Sequence, residues 1–155
     1  MKTADLSDQH TNIQYCTPVF SSFGANKRFS GSIRTVKCYE DNSMVRQMLE
    51  LPGNGSVLVV DAGASKRCAM LGDVLAQMGV DNGWSGVVMN GLIRDSADIN
   101  QMPIGVRALG TFPLKSQKEG KGEIDVIVHF AGAFFETGHF LYADEDGIIV
   151  SKNKL

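Results

Sequence analysis

The 155-residue sequence carries no surplus of positive charge, because fifteen Lys and Arg stand against seventeen Asp and Glu for a formal net charge of -2. Binding a phosphate backbone takes a basic footprint that displaces counterions, so direct nucleic-acid binding is not expected. Long apolar runs are missing too. The longest, Val57-Leu58-Val59-Val60 and Ile148-Ile149-Val150, fall far short of the roughly twenty residues that cross a bilayer. The polar segment from Met1 to Gln14 lacks the apolar stretch of a signal peptide, and the expected location is the cytoplasm. Cysteine is scarce. Cys16, Cys38 and Cys68 are odd in number and widely spaced, which fits neither a disulfide framework nor a paired-cysteine zinc site. They read as reduced thiols that pack as small hydrophobes. There is no repeat, low-complexity tract or linker.

What is there is an ordinary globular composition, 43% hydrophobic and 21% charged, at a length that suits one core, so a single domain over 1–155 is expected. The stretch up to Ser30 is polar and irregular and is expected to wrap over that domain. From Gly31 to Cys38, apolar and polar residues alternate with one irregularity, predicting a bulged strand with Ile33, Val36 and Cys38 against the core. Asp41 or Asn42 can cap a helix carrying Met44, Val45, Met48 and Leu49, ended by Pro52-Gly53. Ser56 to Asp61 and Ser85 to Gly91 read as strands buried on both faces. Between them a helical segment is predicted to include Ala69-Met70-Leu71 and to continue or restart at Gly72-Asp73-Val74-Leu75. Strand, helix, strand implies a right-handed crossover between parallel strands. Beyond Pro103 short strands dominate, around Val106 to Leu109, Ile124 to Phe130, Phe140 to Tyr142 and Gly147 to Val150, with a Gly120-Lys121-Gly122 loop after the first. The fold class is α/β with a β-rich C-terminal half.

Ligands in α/β sheets collect at the carboxyl ends of the strands, which directs attention to the loop from Asp61 to Leu75 and to Asn90 through Asp95. Arg94 offers a planar fork suited to a carboxylate, and Asp95 a hard oxygen suited to magnesium or manganese. An exposed ion pair between neighbours is the alternative. Gly72 to Leu75 can open a helix whose Val74 and Leu75 amides take an anion; otherwise Asp73 simply caps that helix. Asp98 lies one turn beyond Arg94, as an anchor or an exposed acid. Asp61 is either an orienting group or a hydrogen-bond partner of its own glycine loop. His129 and His139 read as structural. A Schiff-base lysine such as Lys37 or Lys66 has no motif behind it.

Asp73, twenty intervening residues, then Arg94-Asp95 resembles the signature of the 4-hydroxy-4-methyl-2-oxoglutarate aldolases, in the family that also contains the RraA regulators of ribonuclease E. Ser30 to Cys38, Val57 to Ala64 and Leu141 to Ile149 extend the resemblance over nearly the whole chain. It implies a swivelling β/β/α fold and a homotrimer with the active site near a subunit boundary. It also implies roles: Asp95 holds a divalent cation, Mg2+ or Mn2+, largely through water. Arg94 contacts the 2-oxo acid substrate, the Gly72 to Leu75 amides take its carboxylate, and Asp73 positions a water for proton transfer. The implied reaction is cleavage of 4-hydroxy-4-methyl-2-oxoglutarate to two pyruvates, with oxaloacetate decarboxylation through the same pyruvate enolate. The resemblance equally allows a non-catalytic partner of ribonuclease E. Retention of Asp95, the acid after the arginine, favours catalysis.

Overall fold

The computed structural model describes residues 2–155. In chain order the elements are α1 (Thr3–Gln9), β1 (Ile13–Tyr15), β2 (Ser21–Phe23), β3 (Phe29–Lys37), α2 (Ser43–Leu49), β4 (Val57–Asp61), β5 (Ala69–Leu71), α3 (Asp73–Asp81), β6 (Gly86–Ile93), α4 (Ser96–Ile99), β7 (Gly105–Thr111), β8 (Glu123–Ile124), β9 (Val128–Phe130), β10 (Ala133–Phe135), β11 (Phe140–Asp144) and β12 (Gly147–Ser151). Ten strands form one sheet with the path β1-β12-β11-β3-β4-β6-β7-β2, while β5 pairs with β6, β8 pairs with β3, and β9 and β10 make a separate hairpin. The centre, β3-β4-β6-β7, is parallel and the flanks are antiparallel.

Both faces of the parallel centre are covered, which explains the apolar runs Val57 to Val60 in β4 and Val87 to Met89 in β6. Along β4 the side chains alternate between two cores. Leu58 and Val60 join Val36, Met48, Leu49, Leu71, Trp84, Met89 and Ile93 on the face carrying α2 and α3. Val57 and Val59 join Ile33, Val88, Phe130, Phe135, Leu141 and Val150 on the face roofed by the hairpin and by β11 and β12. Each of these fully buried side chains contributes roughly 1.5–3 kcal/mol relative to exposure.

The same two-sided burial corrects the expected bulge in β3. Ile33 faces one core and Val36 the other, and the register from Ile33↔Val57 to Lys37↔Asp61 runs without a shift. The irregular apolar spacing thus reflects two cores, not an extra residue. Where β6 and β7 begin, Phe29 lies across Gly86 and Gly105, positions at which any Cβ would overlap its ring. Buried Arg107 closes this stack with its guanidinium 5.1 Å from the ring centroid.

Two further expectations are corrected. Ala69-Met70-Leu71 is not helical but forms β5, parallel to β6 through Ala69↔Leu92 and Leu71↔Ile93. A three-residue apolar run carries no period that separates strand from helix, and here the open edge of β6 beyond β4 decides. The segment before Ser30 is not irregular either. It supplies α1 and the edge strands β1 and β2, which are short and partly exposed and so leave little apolar signal. The Ile124 to Phe130 strand is split into β8 and β9, and β10 adds a strand that the pattern did not reveal.

Candidate active site

Four chain segments leave the carboxyl ends of the four central parallel strands and meet in one pocket of about 270 Å3. After β4 the chain forms β5 and turns at Gly72 into α3. After β6 it reaches Arg94 and Asp95. All six residues singled out in the sequence, Gly72, Asp73, Val74, Leu75, Arg94 and Asp95, line this pocket. The other wall was not foreseen: Asn42 and Arg46 come from the start of α2, after β3, and Lys115, Ser116 and Lys118 from the segment after β7. One signal for Asn42 was available, since Asp41-Asn42 follows a strand end just as Asp95 does.

The Arg94-Asp95 corner is built by local backbone. Arg94 N–H donates to Leu71 O at 2.9 Å, which ties the end of β6 to β5. Asp95 then turns with φ 56° and ψ 37°, in the left-handed region, and α4 starts behind it. Asp95 Oδ2 accepts from the backbone N–H of Asp73 at 3.1 Å, so the carboxylate faces the first turn of α3. Arg94 Nε lies 3.9 Å from the same oxygen, a loose ion pair. Its Nη1 makes a long 3.4 Å bond to Pro113 O. Most of the guanidinium fork is therefore free to bind a planar anion.

At the α3 terminus, Val74 N–H donates to Asp73 Oδ1 at 2.8 Å, while Ala76 N–H already closes onto Gly72 O. Asp73 thus occupies one of the two amides expected to receive an anion, and Leu75 N–H has no acceptor among the described residues. Gly72 is there for space. Its backbone is extended, but a Cβ would come within 2.9 Å of Asp95 Oδ2 and 3.5 Å of Arg94 Nε. Gly72→Ala is expected to push the carboxylate aside and lower kcat/KM ten- to a hundredfold, as displacements near 1 Å do, with thermal stability almost unchanged.

The far wall is held by Asp41. Its Oδ1 accepts from Ser43 N–H at 2.9 Å and from Ser43 Oγ, and its Oδ2 accepts from the N–H groups of Glu119 and Lys121. Burial pushes this carboxyl up, but the hydroxyl and the three amides outweigh it and hold the pKa at about 2. A carboxyl depressed in the fold stabilises it above the ordinary aspartate range, and that contribution fades as pH falls through about 2. Asp41→Asn is expected to cost about 1–3 kcal/mol near neutral pH. The deficit against the unaltered protein, read by denaturant melts, should shrink steadily between pH 4 and pH 2.

Two carboxylates, Asp73 and Asp95, face the pocket, and among the described residues no cluster of three or more His, Cys, Asp or Glu side chains converges. That donor set cannot make a closed zinc cage. It fits a hard cation that keeps most of its own waters, such as magnesium or manganese, because Asp95 Oδ1 is a hard oxygen with no hydrogen bond to protein. Other candidates fall away from the site. Asp61 Oδ1 accepts from Gly63 N–H and from Asn90 Nδ2 and so braces its own turn. Asp98 is exposed, as are Lys37 and Lys66, which have no apolar pocket around them. His129 stacks on Phe134, and His139 pairs with Glu136. The three cysteines are free, with burial pushing the Cys16 and Cys38 thiols up to about 12. No helix among the described residues is long and apolar enough to cross a membrane.

Known proteins place this geometry in context. The RraA-like model, described as Aldolase/RraA, matches residues 3–150. A protein of Aromatoleum aromaticum called "Putative 4-hydroxy-4-methyl-2-oxoglutarate aldolase" is 52% identical, over 99% of this chain and 98% of that one. Among solved structures, one from Geobacillus kaustophilus described as S-adenosylmethionine: 2-dimethylmenaquinone methyltransferase superposes with a TM-score of 0.98 at 51% identity, covering 100% and 97% of the two chains. The "RNA-processing inhibitor RraA from Thermus thermophilis" gives a TM-score of 0.98 at 44% identity, covering 100% and 94%. Three different activities are thus attached to one fold, so the site has to decide among them. The mixed α/β fold is shared with both solved structures, and on the full-length match the chain belongs to the RraA-like family of aldolases and RraA proteins.

Proposed function

We propose that the pocket binds a 2-oxo acid with a divalent cation, Mg2+ or Mn2+, and cleaves 4-hydroxy-4-methyl-2-oxoglutarate to two pyruvates, with oxaloacetate decarboxylation as a side reaction. The observation that carries this reading is the meeting of a free Arg94 guanidinium, the Asp95 carboxylate and the α3 terminus in one small pocket. Asp95 is the group that would hold the cation, which supplies Lewis-acid stabilisation of charge on the keto oxygen.

The chain's own residues do the rest. Arg94 pairs with the substrate through its open fork and stabilises negative charge as the C3–C4 bond breaks. The nine-residue helix α3 points its positive end at the pocket, and the Leu75 amide donates to the pyruvyl carboxylate. In the retro-aldol direction the C4 hydroxyl gives its proton to a pocket water, C4 becomes the ketone of one pyruvate, and the electron pair of the broken bond remains as the enolate of the other. A proton returned to C3 completes it, and Asp73, at the pocket wall, positions the water that delivers it. Decarboxylation of oxaloacetate breaks the equivalent bond and leaves the same enolate, so one set of groups serves both.

The test is pyruvate release from each substrate by chelator-treated protein, with and without added magnesium or manganese and corrected for uncatalysed decarboxylation. Metal-dependent release from both is the expected result. Absence of turnover would favour the second reading, for which the Thermus RraA structure is the reason: a protein partner of ribonuclease E. Assembly as a homotrimer belongs to the same proposal. Exposed Leu114, beside the pocket segment, and exposed Tyr39 and Ile127 are apolar surface available for it, and light scattering of the purified protein would measure it.

A further inference from the structure

Between β7 and β8 the chain runs through residues 112–122 without helix or strand. Its first half is anchored: Phe112 N–H donates to Ile93 O at 2.9 Å, Ala69 N–H to Leu114 O at 2.7 Å and Ser116 N–H to Ala69 O at 3.1 Å. Ser116 is also the one buried residue from Thr111 to Asp125. At the far end β8 pairs with β3 through Lys37↔Glu123 and Val36↔Ile124. The six residues between these anchors, 117–122, are all exposed.

What holds these residues down is a row of main-chain donors on the corner from Glu40 to Ser43. Gln117 N–H donates to Glu40 O at 3.0 Å, the Glu119 and Lys121 N–H groups to Asp41 Oδ2 at 2.8 and 3.2 Å, and Gly120 N–H to Ser43 Oγ at 3.0 Å. The corner itself is fixed from behind. Asp41 is buried, the Glu40 carboxylate accepts from Ser65 Oγ and Arg67 Nε, and Asn42 Nδ2 donates to Met70 O. The segment lying on it has no such support. Ordering six backbone units costs conformational entropy of the same order as four hydrogen bonds return, and no apolar burial is added. Segments of this make-up open on their own, ahead of elements whose backbone lies under a core. Lys118 lines the candidate active-site pocket, and Gln117, Lys118 and Glu119 line the adjoining groove together with Cys68.

We infer that residues 117–122 are a strap that lifts off the corner from Glu40 to Ser43 as a unit, pivoting at Ser116 and β8 while the rest of the chain stays folded, and that its closed position completes one wall of the pocket. Lifting admits the ligand. Closing brings the Lys118 ammonium to an anion in the pocket and keeps bulk water from the reacting carbon. Asp41 and Ser43 are the latch, positioning residues that act through the strap and do not touch the ligand. The opening is a property of the strap alone, whereas its gating of a 2-oxo acid rests on the proposed reading of the pocket.

Amide hydrogen exchange on the purified protein, followed residue by residue, tests the opening. The Gln117, Glu119, Gly120 and Lys121 amides are expected to exchange on the order of a hundredfold or more faster than those of Val59 and Val60 in β4, which is buried on both faces. Exchange as slow as in β4 would overturn the strap, because the segment would then open only with the whole chain. Gly120→Pro supplies a second arm. Gly120 lines neither the pocket nor the groove, and its φ is +75°. Proline there fixes φ at about −65° and removes the N–H that Ser43 accepts, which holds the strap off the corner. Iodoacetamide is expected to alkylate Cys68 in this variant about tenfold faster or more, as a thiol uncovered by local opening does. Cys16, packed against the other core, should keep its rate. Equal acceleration of both thiols would mean general destabilisation and overturn the proposal. For the gating, pyruvate with magnesium is expected to slow the strap amides of the unaltered protein about fivefold or more, since a ligand that prefers the closed state shifts the equilibrium toward it. Pyruvate that binds by calorimetry yet leaves that exchange unmoved would overturn the gate; no binding beside a fast-exchanging strap would overturn the 2-oxo acid reading and keep the strap.

Discussion

Asp95→Asn is expected to lower metal-dependent pyruvate release by on the order of 10³-fold while leaving circular dichroism and the melting temperature within error. The size follows from replacing an anionic hard ligand by a neutral amide oxygen, which removes several kcal/mol of support for the cation and hence for the enolate. The expected intactness of the fold follows from two features of the site. An asparagine still offers an oxygen to the Asp73 N–H, 3.1 Å away in the unaltered protein. Asparagine also tolerates the left-handed backbone that position 95 requires. Undiminished turnover in the variant would move the cation to another residue and remove the reason for assigning Asp95 a catalytic part.

The second large effect is expected at Arg94. Truncation to alanine should reduce kcat/KM by on the order of 10³-fold, about 4 kcal/mol, because a charge-assisted fork aimed at developing negative charge in a small pocket is among the strongest single contributions a side chain makes. Its packing contribution is small. The side chain is 40% exposed, its contact with Asp95 is a loose 3.9 Å and its bond to Pro113 O is long, so stability should change by less than about 0.5 kcal/mol. Arg94→Lys keeps the charge and loses the planar geometry, and it should recover only part of the activity. If alanine at 94 altered KM alone, with kcat intact, Arg94 would be a binding group that does not act on the transition state.

Different parts of the molecule were legible in the sequence for different physical reasons. β4 and β6 stood out because two cores demand apolar residues on both faces, and no other element of this chain has so continuous a run. α2 was marked by Met44, Val45, Met48 and Leu49 at helical spacing and by Pro52, and it forms where expected. β5 was misassigned because its three residues are buried whichever conformation they take, so that only the pairing with β6 settles the matter. The edge strands β1 and β2 gave no signal because their side chains are half in water. In the site, Gly72 to Leu75 and Arg94-Asp95 could be picked out as compact motifs that follow buried strands. The opposite wall could not. Lys115, Ser116 and Lys118 lie in a polar stretch without period, and nothing in their neighbours tells that the Ala69 pairing will draw them to Asn42. The Asp41 bonds to Glu119 and Lys121 complete that wall from 78 and 80 residues away, a separation across which local pattern carries no information.

The left-handed turn at Asp95 sets stability and chemistry against each other within one residue. A side chain with a Cβ pays a penalty there, on the order of 1 kcal/mol, that glycine escapes and asparagine largely avoids. The carboxylate is therefore kept at a position where the fold, left to itself, would do as well or better without it. Mutational drift in a lineage no longer selected for turnover runs downhill at this site, toward a chain that keeps its sheet, its cores and its surface but has shed the acid after the arginine. A fold that loses an enzyme's reaction without losing its shape is a ready scaffold for recruitment to binding.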